Sequence, residues 1–395
     1  MIIYQNLRKT IAASFVFTTG LAYGGDPGKV VIDDKMPIES SSFCDIFDAG
    51  TLYEGDGFIR SVALHGRYHG QFVSQQEEVG GAPDNGFHEY QHRRFRLGFD
   101  IEMANDLTFV LEANIADSSG LTREAFIDNF FDLYLTWEPS DDFFLTVGKQ
   151  KHPFTREDIE SSKRNKNIER SPIVTEVGGG RPWGAVIGFA TGDYDHAIGG
   201  WLYGGHLDAP AWVDFDSGGG FSYNLSREIS ETTTLYFDYA YSDNEGGSSP
   251  AEGAAAQDYG IPYEHAFAAG ASYEKGRFEL ITDLVGAFNR EGSGTIPAGD
   301  DTWGFYVVPS YDITDKLEFV FRYAYLDSGR EQRTQRFIVR QSVENYHTFY
   351  LGLQYFICGE KLKLMGGYEV ATGETFGTSS DLETGSWMLG VRSYF

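Results

Sequence analysis

The sequence predicts an all-β protein: a transmembrane antiparallel β-barrel of about 16 strands, with short periplasmic turns and long external loops. Three observations support this prediction: apolar and polar residues alternate with a period of two, short and long connections alternate, and no apolar run is long. The chain has 395 residues, of which 41% are hydrophobic and 15% are aromatic. A membrane-spanning helix needs roughly 18 or more consecutive apolar residues, and no run in the chain reaches that length. We therefore expect strands, not helices, to cross the membrane.

The period-two alternation defines the strands. In one segment Phe95, Leu97 and Phe99 alternate with Arg94 and Arg96, which places apolar and polar side chains on opposite faces. Similar segments recur to the end of the chain. The predicted strands cover residues 58–72, 92–103, 107–116, 126–138, 143–151, 183–191, 194–205, 219–227, 233–242, 265–274, 277–288, 303–313, 317–326, 346–357, 361–370 and 386–395.

The connections between these segments alternate in length. After every even-numbered segment the link is short, as at 104–106 and 139–142, and after every odd-numbered segment it is long and polar, as at 152–182 and 244–264. Outer-membrane barrels have this pattern because tight turns lie on the periplasmic side and long loops lie outside. A closed sheet also pairs every backbone amide within the hydrocarbon layer. The alternation therefore predicts an outer-membrane barrel.

The first 24 residues have the features of a signal peptide. Arg8 and Lys9 precede an apolar stretch at 11–17, and Ala22 and Gly24 are small residues where a signal peptidase cleaves. The apolar stretch is too short for the alternative, a transmembrane anchor. We therefore assign 1–24 to a signal peptide, 25–57 to a periplasmic N-terminal extension and 58–395 to the barrel.

The C-terminal segment is similar to the targeting strand of bacterial outer-membrane proteins, which ends in Phe and carries apolar residues at alternate positions. Phe395 is the last residue, and Trp387, Leu389 and Val391 share its face. Ser393 departs from the pattern, since an apolar residue is usual there. The terminus therefore supports the bacterial outer membrane as the location.

The two cysteines, Cys44 and Cys358, have no CxxC spacing, so zinc and redox motifs are absent. Cys44 precedes the first strand and Cys358 falls in a periplasmic turn, which puts both on the same side of the membrane. An exported protein meets oxidising conditions. We predict a Cys44–Cys358 disulfide, and two free thiols are the alternative.

Composition and motifs argue against several functions. The chain has 31 basic and 58 acidic residues and a net charge of −27, whereas nucleic-acid binding requires basic surfaces. The G-x-S-x-G elbow and the G-x-x-x-x-G-K-[ST] loop are absent, so we predict neither an enzyme nor a cofactor.

Four histidines raise the question of a metal site. His65 and His69, and likewise His88 and His92, are predicted to line inward faces of adjacent strands at i, i+4 spacing. On a strand this spacing separates the side chains by roughly 13 Å, too far for one ion. We therefore predict lumen lining and no metal, with a cross-strand pair as the alternative.

Two blocks of sequence resemble the phosphate-selective porin O and P family. Residues 93–99 read RRFRLGF. Residues 148–155 read GKQKHPFT, and an acidic residue, a Ser-Ser pair and the triplet ERS at 169–171 follow. The resemblance implies a sixteen-stranded, usually trimeric barrel that passes small anions by diffusion.

The resemblance also implies that the third external loop, 152–182, folds into the lumen and constricts it. This loop contains six cations and five acids, Glu157, Asp158, Glu160, Glu169 and Glu176, so that it nets 6 − 5 = +1. A positive constriction would favour anions. A mixed-charge loop held by internal salt bridges, without selectivity, remains the alternative. The candidate pore-lining and anion-binding residues are Arg94, Arg96, Lys151, Arg156, Lys163, Arg164, Lys166, Arg170, Arg181 and Arg322.

The predicted function is passive diffusion of small hydrophilic solutes, anionic or neutral, through an outer-membrane homotrimer that contacts membrane lipid and lipopolysaccharide. A sugar channel would instead use inward aromatic platforms, for which Tyr134, Tyr236 and Tyr306 are the candidates. A further alternative is a barrel that serves as a surface-layer anchor or adhesin and has no open pore.

Overall fold

The computed structural model describes residues 43–47, 50–83, 86–116, 129–178, 180–202, 219–243, 261, 263–290, 301–333, 342–375 and 380–395. The predicted signal peptide, 1–24, and most of the predicted extension, 25–57, lie outside the described residues. Those two assignments stay predictions.

Sixteen long strands form one closed antiparallel barrel. Two short strands, β1 and β3, pair with opposite ends of β2. The strands are β1 (Gly50–Glu54), β2 (Ile59–Val79), β3 (Ala82–Pro83), β4 (Phe87–Met103), β5 (Leu107–Ala116), β6 (Asn129–Ser140), β7 (Phe143–Lys149), β8 (Trp183–Thr191), β9 (Tyr194–Leu202), β10 (Gly219–Ser230), β11 (Thr233–Asp243), β12 (Tyr263–Lys275), β13 (Phe278–Arg290), β14 (Thr302–Thr314), β15 (Leu317–Arg333), β16 (Ser342–Phe356), β17 (Leu362–Thr375) and β18 (Asp381–Tyr394).

Each long strand pairs with its neighbour in the chain, and β18 pairs with β2 to close the barrel. The predicted fold class and strand number are confirmed. The described helices are short: the α-helices α1 (Arg156–Ile159) and α2 (Pro172–Val177) and a 3₁₀ turn, Cys44–Phe47. Among the described residues, no helix has the length and apolar character to cross a membrane.

Several strands extend further on the external side than the alternation predicts. β2 continues to Val79 and β15 to Arg333, and β18 begins at Asp381 instead of 386. The upper part of β2 carries polar residues on both faces, so it lacks the apolar signal on which the prediction depended. The last external link, 376–380, is consequently much shorter than the alternation predicts.

The two faces of the barrel have opposite character. Phe72, Leu135, Ile187, Leu351 and Leu389 lie on the outside and stay exposed, as a lipid-facing surface requires. Charged residues on the inside are buried, and the side chain of Arg322 is 0% exposed. Because these inward side chains are shielded from solvent, another part of the chain must fill the lumen beside them.

The prediction that His88 and His92 face the lumen is wrong. The β2–β4 pairing shifts register between His69 and Gly70, where Arg93 is an extra residue in β4. A bulge of one residue reverses which side chains point inward beyond it. Gln91 therefore bonds to inward Gln71, while His92 packs on the rings of Tyr68 and Tyr90.

The segment before the barrel is attached at the periplasmic end. Cys44 and Cys358 form a disulfide with a Cα–Cα distance of 5.4 Å. β1 pairs with residues 61–64 of β2, immediately below the place where β18 ends opposite Arg67. Gly66 lies between these two pairings. Its N–H donates to the Phe395 carbonyl oxygen, and its carbonyl oxygen accepts from the Phe395 N–H, at 3.1 Å each. The lower edge of β2 is thus covered as far as β1 reaches.

Candidate functional site

The lumen is occupied by the segment between β7 and β8, residues 150–182, hereafter the constriction loop. Its apolar side chains Phe154, Ile168, Ile173, Val174 and Val177 are at most 2% exposed. They join a buried cluster with inward residues of β13, β14 and β15. Gly304 on β14 leaves space for Ile173, since a Cβ at that glycine would lie 3.1 Å from the Ile173 Cβ. Each fully buried side chain of this size contributes about 1.5–3 kcal/mol, which explains why this loop folds inward.

Four predicted cations contact carboxylates of the loop itself. The Lys151 Nζ lies 3.1 Å from Asp158 Oδ1, and an Arg156 nitrogen lies 3.1 Å from a Glu160 oxygen. Arg164 and Arg170 make longer contacts, each 3.7 Å, with Glu160 and Asp158 respectively. These pairs neutralise much of the positive charge within the loop.

Three other loop cations reach the barrel wall. The Lys166 ammonium lies between Glu318, at 2.6 Å, and Glu279, at 2.9 Å. Arg181 pairs with Asp132 at 2.6 Å and stacks on the Phe131 ring at 3.5 Å. Lys163 lies 4.9 Å from the ring centre of Tyr394 on β18.

Local charges keep two largely buried groups of the loop, Lys166 and Glu169, ionised. Burial alone would lower the pKa of Lys166, but Glu279 and Glu318 outweigh it and raise that pKa above its usual range. Burial would raise the pKa of Glu169, but the Arg93 and Arg94 guanidiniums lower it to about 2. His152 has no such partner, and burial lowers its pKa to about 3. Lys166 and Glu169 are therefore charged at neutral pH, and the His152 imidazole is neutral.

Acidic side chains that face the loop from β11, β13 and β15 form what we call the acidic wall. Its members are Asp238, Glu279, Asp283 and Glu318.

Basic side chains on β2, β4 and β18 form the basic wall: Arg67, Arg93, Arg94, Arg96 and Arg392. Arg67 and Arg96 share Glu112 on β5, at 2.9 and 3.3 Å. Arg93 contacts Glu169 of the loop at 2.9 Å. The remaining predicted wall residue, Arg322 on β15, pairs with Glu369 at 2.8 Å, and both side chains are 0% exposed.

Arg94 differs from the other members of the basic wall. It is 8% exposed, and within the described part of the chain its one side-chain hydrogen bond joins Nη1 to His69 Nδ1 at 3.3 Å. No carboxylate oxygen among the described residues lies within 4.0 Å of it. Because a guanidinium only donates, His69 Nδ1 accepts and its Nε2 carries the proton. That buried Nε2 has no hydrogen-bond partner in the described part of the chain.

Sequence reasoning missed several charged residues of the lumen. Lys363 and Arg392 are buried there, as are Asp238, Asp283 and Glu318 of the acidic wall, whereas Glu279 is partly exposed. Arg392 had a visible signal, since it alternates with the outward residues Val391 and Leu389. Asp238 and Asp283 had none, because their role depends on which strands face the loop.

The remaining candidates of the sequence are also located. Tyr134 and Tyr306 are buried inside, and Tyr236 lies 5.2 Å from the Arg156 guanidinium. Tyr306 accepts a hydrogen bond from the Glu157 N–H at 3.0 Å, so Tyr236 and Tyr306 both lie against residues of the loop. Within the described ranges, no group of three or more His, Cys, Asp or Glu side chains could hold a metal ion.

Solved porin structures share this fold. An anion-selective porin from Comamonas acidovorans is 13% identical, with a TM-score of 0.57, covering 85% of this chain and 99% of that one. OmpT of Vibrio cholerae is 11% identical, with a TM-score of 0.56 and coverages of 86% and 99%. OprB of Pseudomonas putida is 11% identical, with a TM-score of 0.58 and coverages of 85% and 94%.

A comparison with curated protein sequences finds no match. The family model described as phosphate-selective porin O and P matches residues 62–289, which is more than half of the chain. This chain therefore belongs to the phosphate-selective porin O and P family and is a porin of the bacterial outer membrane.

Proposed function

We propose that this porin prefers small anions and that the preference originates at the basic wall, at Arg94, more than in the constriction loop. The observation that carries the proposal is the lack of any carboxylate within 4.0 Å of the Arg94 guanidinium among the described residues. Every other member of the acidic and basic walls contacts a group of the protein that complements its charge. Arg94 therefore leaves a positive charge for the solute.

The chemistry of Arg94 and His69 suits an oxyanion. A guanidinium presents a planar fork of N–H donors that matches two oxygens of a phosphate or carboxylate. The unpartnered His69 Nε2–H adds a neutral donor beside it. Arg392, Arg67 and Arg96 lie close enough to act electrostatically on this imidazole, and they add positive potential. We therefore propose small oxyanions, including phosphate, as the preferred class, with small neutral solutes passing less selectively.

The predicted cations of the loop contribute less than Arg94 to the proposed anion preference. Lys151, Arg156, Arg164 and Arg170 are paired within the loop, and Lys166 and Arg181 are paired with the wall. A paired cation contributes little net field to a passing ion. Lys163, which faces the Tyr394 ring, is the loop cation that we retain as a candidate contact.

The proposal extends to assembly and surroundings. One structural neighbour, OmpT of Vibrio cholerae in its trimer form, is 13% identical with a TM-score of 0.52. We propose a homotrimer on that likeness, with membrane lipid and lipopolysaccharide around the exposed apolar belt. The proposal assigns no catalytic step and no cofactor to the chain.

The test replaces Arg94 by Gln and measures reversal potential in a planar bilayer under a KCl gradient. We expect R94Q to lose most of the chloride preference and the block by added phosphate, while its conductance stays near that of the wild type. The matched control is R277Q, which removes one positive charge from a side chain 55% exposed at a periplasmic turn. Equal reversal potentials for wild type and R94Q would refute the proposed site.

A further inference from the structure

The constriction loop is held on one side through its backbone carbonyls. Arg392 Nη1 donates to the carbonyl oxygens of Ser162 and Asn165, at 3.1 Å each. Its Nη2 donates to the carbonyl oxygens of Asn167, at 3.0 Å, and Ile168. One guanidinium on β18 thus satisfies four carbonyls of the loop.

On the other side, the loop is held through its backbone amides. The N–H of Thr155 donates to Asp238 at 2.6 Å, and the N–H of Arg156 donates to Asp283 at 2.8 Å. Thr155 has a φ of 59°, in the left-handed region that a β-branched residue rarely adopts. Neighbouring contacts must hold such a conformation in place, and the acidic wall supplies them.

Both sets of contacts are independent of the loop's own side chains. Buried carbonyls and amides outside regular structure need partners, and here the partners come from the wall. Arg392 is 3% exposed and, among the described residues, has no carboxylate within 4.0 Å, so its donors serve the loop. Arg322 makes one further bond of this kind, from Nη1 to the Glu169 carbonyl at 2.6 Å.

We propose that Arg392 is the main positioning residue of the constriction loop and that Asp238 and Asp283 are its counterparts. Together they set the bore of the pore by fixing the loop backbone. Side chains of the loop can then change without moving the constriction. The proposal concerns the position of the loop and holds whichever ion the pore prefers.

The loop carries its own reporter, because Lys163, Arg164 and Lys166 are trypsin sites beside the carbonyls that Arg392 holds. We expect the folded wild-type protein in detergent to resist cleavage there. R392Q removes the hydrogen bonds to four buried carbonyls, so we expect cleavage at 163–166 to be at least about tenfold faster. We also expect larger and noisier single-channel conductance. R277Q, which removes an exposed arginine, is expected to behave as the wild type.

Two further variants separate positioning from general damage. R392K keeps the charge but concentrates its donors on one nitrogen, so it cannot span the same carbonyls, and we expect intermediate cleavage. D238A/D283A removes the amide partners and is expected to release the loop from the other side. D238N/D283N keeps an oxygen acceptor and is expected to restore resistance.

The barrel of each variant is checked by its heat-dependent shift on an SDS gel. Wild-type resistance and conductance in a folded R392Q would overturn the proposal. If R392Q does not fold, the D238A/D283A variant tests the proposal instead. Fast trypsin cleavage of D238A/D283A together with resistance of D238N/D283N supports the proposal. Wild-type resistance of D238A/D283A overturns it.

Discussion

The acidic and basic walls of the lumen face the same loop but engage it differently. Every member of the acidic wall contacts a donor of the loop: the amides of Thr155 and Arg156, or the ammonium of Lys166. On the basic wall, Arg93 and Arg392 contact loop acceptors and Arg67 contacts the Ser162 hydroxyl, whereas Arg96 contacts the wall carboxylate of Glu112. Among the described residues, the Arg94 guanidinium contacts neither an acceptor of the loop nor a carboxylate of the wall.

If the pore prefers anions as proposed, the number of charges in its lumen is a poor guide to its selectivity. The chain is strongly acidic, at −27, yet Arg94 on the basic wall has no carboxylate within 4.0 Å among the described residues. Lys166 lies between Glu279 and Glu318 and offsets much of their negative charge. Exposed acids elsewhere are screened over about 8–10 Å at physiological salt.

The largest shift in selectivity is expected from neutralising part of the acidic wall. E279Q/E318Q leaves Lys166 without carboxylate partners, so the lumen gains a free cation as well as losing two negative charges. We expect the reversal potential to move further toward the chloride equilibrium potential. The control is E231Q/D315N, which removes two acids from periplasmic turns. An unchanged potential would mean that the acidic wall lies off the ion path.

A smaller shift in selectivity, with a loss of stability, is expected for E112Q. Glu112 is 2% exposed and lies 2.9 Å from Arg67 and 3.3 Å from Arg96. Removing one partner of a buried ion pair costs on the order of 3 kcal/mol, because the guanidiniums lose their counter-charge. The measurement is the temperature at which the folded band disappears on an SDS gel, compared with the exposed control E102Q. A midpoint equal to that of E102Q would contradict the prediction.

The smallest effect on the pore is expected from C44S/C358S. The disulfide lies at the periplasmic end, outside the loop contacts, so we expect unchanged conductance and selectivity. β1 should open more often once it is no longer linked to the turn at Cys358. Amide exchange at residues 61–64 of β2 should therefore accelerate, measured by mass spectrometry. A changed reversal potential would show that the link also acts on the lumen.

Most of the barrel was predictable because its signal is local. Alternation in each segment identifies a strand, and the short turns identify its periplasmic end. The bulge at Arg93 was not predictable, since one extra residue leaves the composition of the segment unchanged while it turns His88 and His92 outward. The upper ends of β2 and β15 were missed because they lack an apolar face.

The sequence identified many residues of the candidate site, but it did not identify which residues contact one another. The cations of the constriction loop follow one another in the sequence and were all identified. Their partners are far along the chain, as Lys166 with Glu279 and Glu318 shows. Only the closed barrel decides which strand a loop residue meets. Consequently the sequence alone could not decide between a positive loop that selects anions and a mixed-charge loop held by salt bridges. The contacts of Arg94 suggested a third arrangement, in which the barrel wall selects anions.

The most direct test of this account is the reversal potential of the purified wild-type protein in a planar bilayer under a KCl gradient, repeated with added phosphate. A basic wall that receives anions predicts a reversal potential close to the chloride equilibrium potential and a current that phosphate reduces. A potential on the potassium side, or a current that phosphate does not reduce, would contradict a basic wall that receives anions. The absence of any current would favour a barrel that serves as an anchor.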